Sequence, residues 1–247
     1  ISVLIIIKLL IKKLKIPTRM AYLISIGSTV CGTTAIIATA PVIKANKNEV
    51  SYAIANITLF GILSMLIYPY FANFYFDDEP LLIGLFLGTS IHETSQVAAA
   101  GLIYEQQFNS PETLNIATVT KLIRNTFLII MIPLFAFLYN RGQTKEKNYS
   151  ILSIFPYFVL GFVGMILLRN IGDEIYLSSS NWITSIEIVK LFSKIFLTMA
   201  MAAIGLSTNL KDIKNMGYKP FIVGFIAMLT VGIVCILTIE SYLRFFI

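Results

Sequence analysis

Four stretches of this chain, residues 20–43, 50–71, 150–168 and 220–239, contain no charged side chain. A helix needs about 20 consecutive apolar residues to cross the hydrocarbon core of a bilayer. Further apolar windows fall at 1–11, 80–104, 114–139 and 183–207, and the last window as a whole runs 220–245, with Glu240 and Arg244 beyond its charge-free part. In hydrocarbon every backbone polar group must be paired internally, which leaves helices or closed barrels. Barrel strands alternate polar with apolar side chains; runs such as TFLIIMIPLFAFLY do not. The expectation is therefore an all-α, multi-pass integral membrane protein with about eight transmembrane helices, the first partial and some of them broken.

Composition closes the alternatives. Charged residues make up 13% of the 247 residues and hydrophobic ones 57%, against about 25% charged in ordinary soluble domains. So few charges cannot cover a water-facing surface, which excludes a cytosolic enzyme or a disordered chain. The two cysteines, Cys31 and Cys235, lie in apolar stretches and make no disulfide framework. No GxSxG, HExxH, Walker or CxxC pattern is present, and one histidine with two separated cysteines gives no standard zinc site. No catalytic residue, metal or cofactor is expected, and no nucleic-acid partner. The opening run ISVLIIIKLLI is too short to span, so the chain reads as amino-terminally truncated, a single transporter-like domain over 1–247.

If every window crosses once, loops 12–19, 73–79, 140–148 and 208–219 share one face. That face carries Lys12, Lys13, Lys15, Arg19, Arg141, Lys145, Lys147, Lys211, Lys214 and Lys219, whereas the other carries Lys44, Lys47, Arg169 and Arg244. Basic loops stay cytoplasmic, so the carboxyl terminus is expected outside a bacterial inner membrane.

Two windows resemble each other at a spacing of 61 residues. Gly27 matches Gly88, Val30 matches Ile91, Thr33 matches Thr94 and Ala38 matches Ala99. On the parity above this reads as a parallel repeat of a two-helix unit. Both windows are rich in hydroxyls. Close helix packing explains small residues; the sharper reading is a break at Gly27, Gly32 or Gly88, with Ser28, Thr29, Thr33 and Thr89 facing a ligand. Half-helix N-termini favour anions.

Ionisable groups at membrane depth are costly, roughly 2.5–3.5 kcal/mol on insertion scales. His92 and Glu93 lie twelve residues into window 80–104 and suit proton coupling, with Gln96 on the same face as His92. A buried structural pair with a basic residue is the plainer account of Glu93. Lys121 and Arg124, three apart, share a polar stripe with Thr118 and Asn125, and Arg presents a fork suited to an oxyanion; snorkelling to an interface is the plainer account. Glu187, Lys190 and Lys194 form a stripe that an interfacial helical turn explains. Ser207, Thr208 and Asn209 end a stretch of small residues, read as tight packing or as a polar lining.

The strings GSTVCGTTAIIATAPVIKA (27–45), GTSIHETSQVAAAGLIY (88–104), VTKLIRNTFLI (119–129) and MAMAAIGLSTNLKDIKNMGYKPF (199–221) resemble the YeiH-type sulfate exporter family, a bacterial multi-pass group catalogued as uncharacterised. The resemblance departs at Ala40, where a family member has an acidic residue before the proline matching Pro41. It implies a parent of about ten or more helices and secondary transport. On this reading Ser28, Thr29, Cys31, Thr33, Thr89, Gln96, Lys121 and Arg124 bind a small sulfate-like anion, and His92 with Glu93 couple its movement to protons. A sodium–proton type exchanger, with Glu93 on the cation and Lys121 or Arg124 holding a helix crossing, is the second expectation. A non-transporting assembly protein is the third. Oligomeric state, a homo-oligomer included, is left open.

Overall fold

The computed structural model describes residues 2–3, 5–7, 9, 16–41, 43–128, 130–131, 134, 158–176, 179–207 and 218–246. The described residues are helical, with no strand among them. They run α1 (Thr18–Thr29), α2 (Thr33–Thr39), α3 (Lys47–Tyr75), α4 (Pro80–Ser90), α5 (Thr94–Phe108), α6 (Pro111–Thr126), α7 (Phe158–Tyr176), α8 (Ser180–Ser207) and α9 (Lys219–Phe246). Two compact units result, residues 1–154 with 209–247, and residues 155–208.

Local signals in the chain set the boundaries. Asn46 caps α3 by accepting from the Glu49 N–H at 2.8 Å, while the Glu49 carboxylate accepts from the Asn46 N–H at 2.9 Å, a reciprocal capping box. Pro80 and Pro111 open α4 and α6, where a missing N–H costs nothing. Asn109, at φ 53°, ends α5 in the left-handed conformation.

Among the described residues, two helices are long and apolar enough to cross a membrane, α3 and α9. They lie parallel. Asn56 donates to Pro220 O at 2.9 Å, Tyr68 donates to Met228 O at 3.3 Å, and the Tyr75 hydroxyl meets the Glu240 carboxylate. The two therefore begin on one face of the unit and end on the other. This overturns the single-crossing parity, which made them antiparallel and put loop 73–79 with 208–219.

The reason is that windows 20–43 and 80–104 fold back on themselves. In a continuous helix Gly27 and Ile36 would be roughly 13 Å apart. Instead a Cβ on Gly27 would meet Ile36 Cδ1 at 2.9 Å, and Ile57 of α3 at 3.1 Å. So α2 returns along α1. In the second window, Gly84 on α4 and Gly101 on α5 would be about 25 Å apart in one helix, yet a Cβ on the first would meet Ile116 and on the second Leu114. Further along α6, Gly88 lies against Ala117 and Thr120, and Asn125 donates to Thr94 Oγ1 at 3.1 Å. α4 therefore runs parallel to α6 and α5 antiparallel to it.

The hairpins enter from opposite faces. α2 leads through residues 40–46 into the start of α3, so α1 begins and α2 ends on that face. α4 starts directly after the end of α3, so the second hairpin rises from the other. Hairpin plus following helix, α1–α2–α3 and then α4–α5–α6, is thus an inverted repeat rather than a parallel one. The described charges divide accordingly. Arg19, Lys44, Lys47, Glu49 and Lys219 lie on the first face; Asp77, Asp78, Glu79, Glu105, Glu112, Glu240 and Arg244 lie on the second. Lys12, Lys13, Lys15, Arg141, Lys145, Lys147, Lys211 and Lys214 fall outside the described residues.

The second unit is a helical pair of its own. Trp182 Nε1 donates to Asp173 Oδ1 at 2.8 Å, and Arg169 bridges Asp173 Oδ2 at 2.6 Å. Glu187 and Lys190 are exposed on α8; the side chains of Lys194 and Ser207, and residues 208 and 209, lie outside the described residues.

Candidate functional site at two opposed hairpin tips

The tips fall at matching positions of the repeat. α1 ends at Thr29 and α2 starts at Thr33; α4 ends at Ser90 and α5 starts at Thr94. Gly32, one of the three glycines expected to break a helix, stands at a break, with φ 58° and ψ −121°. That pair belongs to the first central position of a type II′ turn and favours glycine. Gly27 and Gly88 sit inside helices, where they permit close approach to Ile36 and Ile57, and to α6. The second tip needs no glycine, because Ile91 and Glu93 are both extended (φ −80°, ψ 140° and φ −109°, ψ 145°).

Each tip ends a helix with unpaired carbonyls, which carry roughly half a negative charge per helix. α6 supplies the counter-charge. Lys121 Nζ donates to Val30 O at 3.1 Å, Ile91 O at 2.7 Å and His92 O at 2.6 Å, which commits all three of its N–H groups. Arg124 donates from Nε to Thr29 O at 3.2 Å, from Nη2 to Ser28 O at 2.9 Å, and from Nη1 to Ile91 O at 3.3 Å and to Thr89 O. The acceptors pair by the repeat: Val30 with Ile91 on the lysine, Ser28 with Thr89 on the arginine. α6 thus sits on the pseudo-twofold relation between the hairpins.

The side chains break that symmetry. Glu93 Oε1 accepts from the Thr33 N–H at 3.3 Å and from the Thr33 hydroxyl, so the second tip places a carboxylate at the start of α2. At the equivalent position the first tip has Gly32, and a Cβ there would stand 2.5 Å from Glu93 Cγ. His92 is fully buried and neither ring nitrogen meets a partner among the described residues. Gln96 Nε2 donates to Thr58 O at 3.2 Å, while its carboxamide oxygen is unpartnered. Thr29 and Thr89 turn their hydroxyls back onto Ser25 O and Leu85 O, each at 2.6 Å, whereas the buried Ser28 hydroxyl has no partner. Cys31 is buried in the first tip.

A cavity of about 530 Å³ reaches this junction, with Arg124, Ser28, Thr29 and Thr89 at its inner end. Its walls come from α4, α9 and the amino-terminal residues Ser2 and Val3; the α9 wall includes Cys235, whose Sγ lies 2.6 Å from Thr89 Oγ1. All ten residues singled out in the sequence as ligand-binding or proton-coupling lie on α1, the two tips, or α2, α4, α5 and α6. Nothing in the sequence pointed to α9 as a wall. The fold-back did have a signal: Gly84, Gly88 and Gly101 mark faces of α4 and α5 that both seek one partner.

The described residues form an all-helical fold with two helices long and apolar enough to cross a membrane and with charge buried at opposed hairpin tips. The chain belongs to the family described as conserved hypothetical protein 698, whose profile matches residues 1–224. It is 39% identical over 246 residues to a UPF0324 membrane protein of Streptococcus agalactiae, covering 98% of this chain and 71% of that one. A UPF0324 membrane protein of Fusobacterium nucleatum is 36% identical over 243 residues (94% and 69%). One from Clostridium tetani is 32% identical over 243 residues (93% and 67%). No solved structure matches the chain. The family is an uncharacterised group of bacterial membrane proteins.

Proposed function

We propose that this chain forms the core of a secondary transporter for sulfate or a related small oxyanion in the bacterial inner membrane, coupled to protons. The observation that carries the reading is the meeting of two oppositely entering hairpin tips around Lys121 and Arg124, with a cavity leading to the arginine. Transporters place ligands where half-helix ends converge near the bilayer midplane.

Charge arithmetic at the junction gives the coupling. Lys121 and Arg124 contribute two positive charges. Glu93 and the carbonyl ends of α1 and α4 contribute about one and about two halves of opposite sign, and the amino ends of α2 and α5 return about two positive halves. The junction by itself therefore carries about one positive charge, which balances a monovalent anion, whereas divalent sulfate needs one more. A proton on Glu93 supplies it, and buried His92, next to Glu93 in the chain, is placed to pass it on. The face with Arg19, Lys44, Lys47 and Lys219 is cytoplasmic on this reading, and the carboxyl end lies outside. About eight membrane-embedded segments follow if each hairpin counts as one window.

Sulfate flux in proteoliposomes under an imposed pH gradient tests this. The gradient should drive flux in the wild type, and Glu93→Gln should uncouple it. Sulfate movement unchanged in the Glu93→Gln, Arg124→Gln double variant would eliminate the mechanism. One observation favours a cation exchanger instead: Lys121 has no N–H left for an anion. A sodium gradient that drives proton movement without sulfate would decide for that reading.

A further inference from the structure

The cavity at the junction has one charged lining residue among the described residues, Arg124, with the Ser28, Thr29 and Thr89 hydroxyls beside it, while Ser2, Thr238 and Tyr242 add hydroxyls elsewhere in the lining. Its depth holds Arg124 and Ser28; its walls carry Leu85, Val231, Val234 and Ile239. A volume of about 530 Å³ falls within the 300–1,000 Å³ of sites that enclose organic ligands. It is many times the roughly 30 Å³ that one water occupies in the liquid. A bare inorganic oxyanion would leave most of this space unfilled, and apolar walls give nothing to a strongly hydrated solute.

Two donors remain at the polar end. Arg124 has five N–H groups; among the described residues four are committed to Thr29 O, Thr89 O, Ile91 O and Ser28 O, which leaves one on Nη2. The Ser28 hydroxyl is fully buried, lines the same cavity and has no partner among the described residues. An unpartnered buried hydroxyl costs free energy unless something fills its place. Thr29 and Thr89 have already given their protons to their own helices or to Cys235.

We infer that this cavity binds an organic monoanion, with a sulfonate or carboxylate head on Arg124 and Ser28 and an unbranched apolar body between α4 and α9. The inference rests on the transport reading above and replaces bare sulfate, as its substrate, with an organic anion that carries an oxyanion head. The head takes the two remaining donors, and the body gains by burial in proportion to its apolar surface.

Binding to the protein in nanodiscs of zwitterionic phosphatidylcholine tests it, with straight-chain alkanesulfonates from methane- to hexanesulfonate as probes, beside inorganic sulfate and hexyltrimethylammonium. Affinity should rise about threefold to fourfold per methylene, with no binding of the cation. Ser28→Ala should weaken every sulfonate about tenfold while the gain per methylene persists. Leu85→Trp should abolish that gain. Because Arg124 also holds the hairpin tips, the serine and leucine variants carry the test. Equal affinity for sulfate and hexanesulfonate would overturn the organic substrate class and leave oxyanion transport standing. Absence of binding by any anion would overturn both. Displacement of hexanesulfonate by phosphatidylglycerol added to the nanodisc would assign the site to a lipid headgroup and overturn the solute reading.

Discussion

The two hairpin tips share a backbone plan and differ in what they can carry. The first turns through Gly32 at positive φ, a conformation that leaves little room for a side chain. The second turns through extended residues, so it can hold an imidazole and a carboxylate at the same repeat positions where the first has Cys31 and Gly32. The backbone carbonyls are therefore neutralised in matched pairs by Lys121 and Arg124, while the single tip carboxylate crosses to Thr33 of the opposite hairpin. Symmetry holds the junction together, and its breaking places a single carboxylate there.

The largest effect is expected where both hairpins depend on one side chain. Lys121→Met keeps the apolar stem but removes the cation from the Val30 and His92 carbonyls and leaves Ile91 O with Arg124 alone. A loss of about 3–5 kcal/mol is expected, read as a lowered denaturant midpoint in detergent. A loss near zero would mean the tips do not need the cation. Gly32→Ala comes next, at about 2–3 kcal/mol, from positive φ together with the crowding of Glu93 Cγ. Cys31→Ala, in the same tip, should change the midpoint by less than about 1.5 kcal/mol, since it removes one small buried group. Similar losses at the two positions would remove the backbone reason for the asymmetry.

Much of this junction was legible in the sequence, and its shape was not. Costly groups such as Glu93, Lys121 and Arg124 stand out against apolar windows because burial of charge demands a partner. The 61-residue similarity marked both tips in register. Hydropathy, however, counts apolar length, and a hairpin of two short helices has the same length as one crossing. Windows 20–43 and 80–104, counted by apolar length, each pass for one crossing, and an inverted repeat then looks like a parallel one. Gly27 and Gly88 were read as breaks because glycine is permissive, but a helix can hold glycine wherever a neighbour must come close, as Ile36, Ala117 and Thr120 do. The pairing of α3 with α9 through Asn56 and Pro220 links residues far apart in the chain, and no local pattern announces it.

Thr33 and Thr94 occupy the same place in the two halves and allow a closer comparison. Thr33→Val removes a hydroxyl that donates to a carboxylate; Thr94→Val removes one that accepts from the neutral Asn125 carboxamide. Hydrogen bonds to charged groups are worth about 1.5–3 kcal/mol and neutral ones about 1. The first variant should therefore lose more stability than the second, by about 1 kcal/mol. Equal losses would show that Glu93 adds no charge-assisted bond at the first hairpin.

The turn between α7 and α8 is the smallest case and the useful contrast, because its carboxylate sits beyond the apolar window 150–168 and is open to water. The Trp182 indole N–H, and after it the Arg169 guanidinium, hold the Asp173 carboxyl below its ordinary range. A carboxylate whose folded-state pKa is depressed contributes stability above its unfolded value, and that contribution is lost as pH falls through the folded one. Wild-type midpoints should accordingly fall more steeply than those of Asp173→Asn between pH 5 and pH 3, in the range where carboxylates titrate. Solvent screening keeps exposed pairs weak, so this difference should be small beside that of Lys121→Met and should shrink in high salt. An equally large acid effect would mean that the water-facing turn and the buried tips draw on electrostatics of the same strength, which the difference in their surroundings forbids.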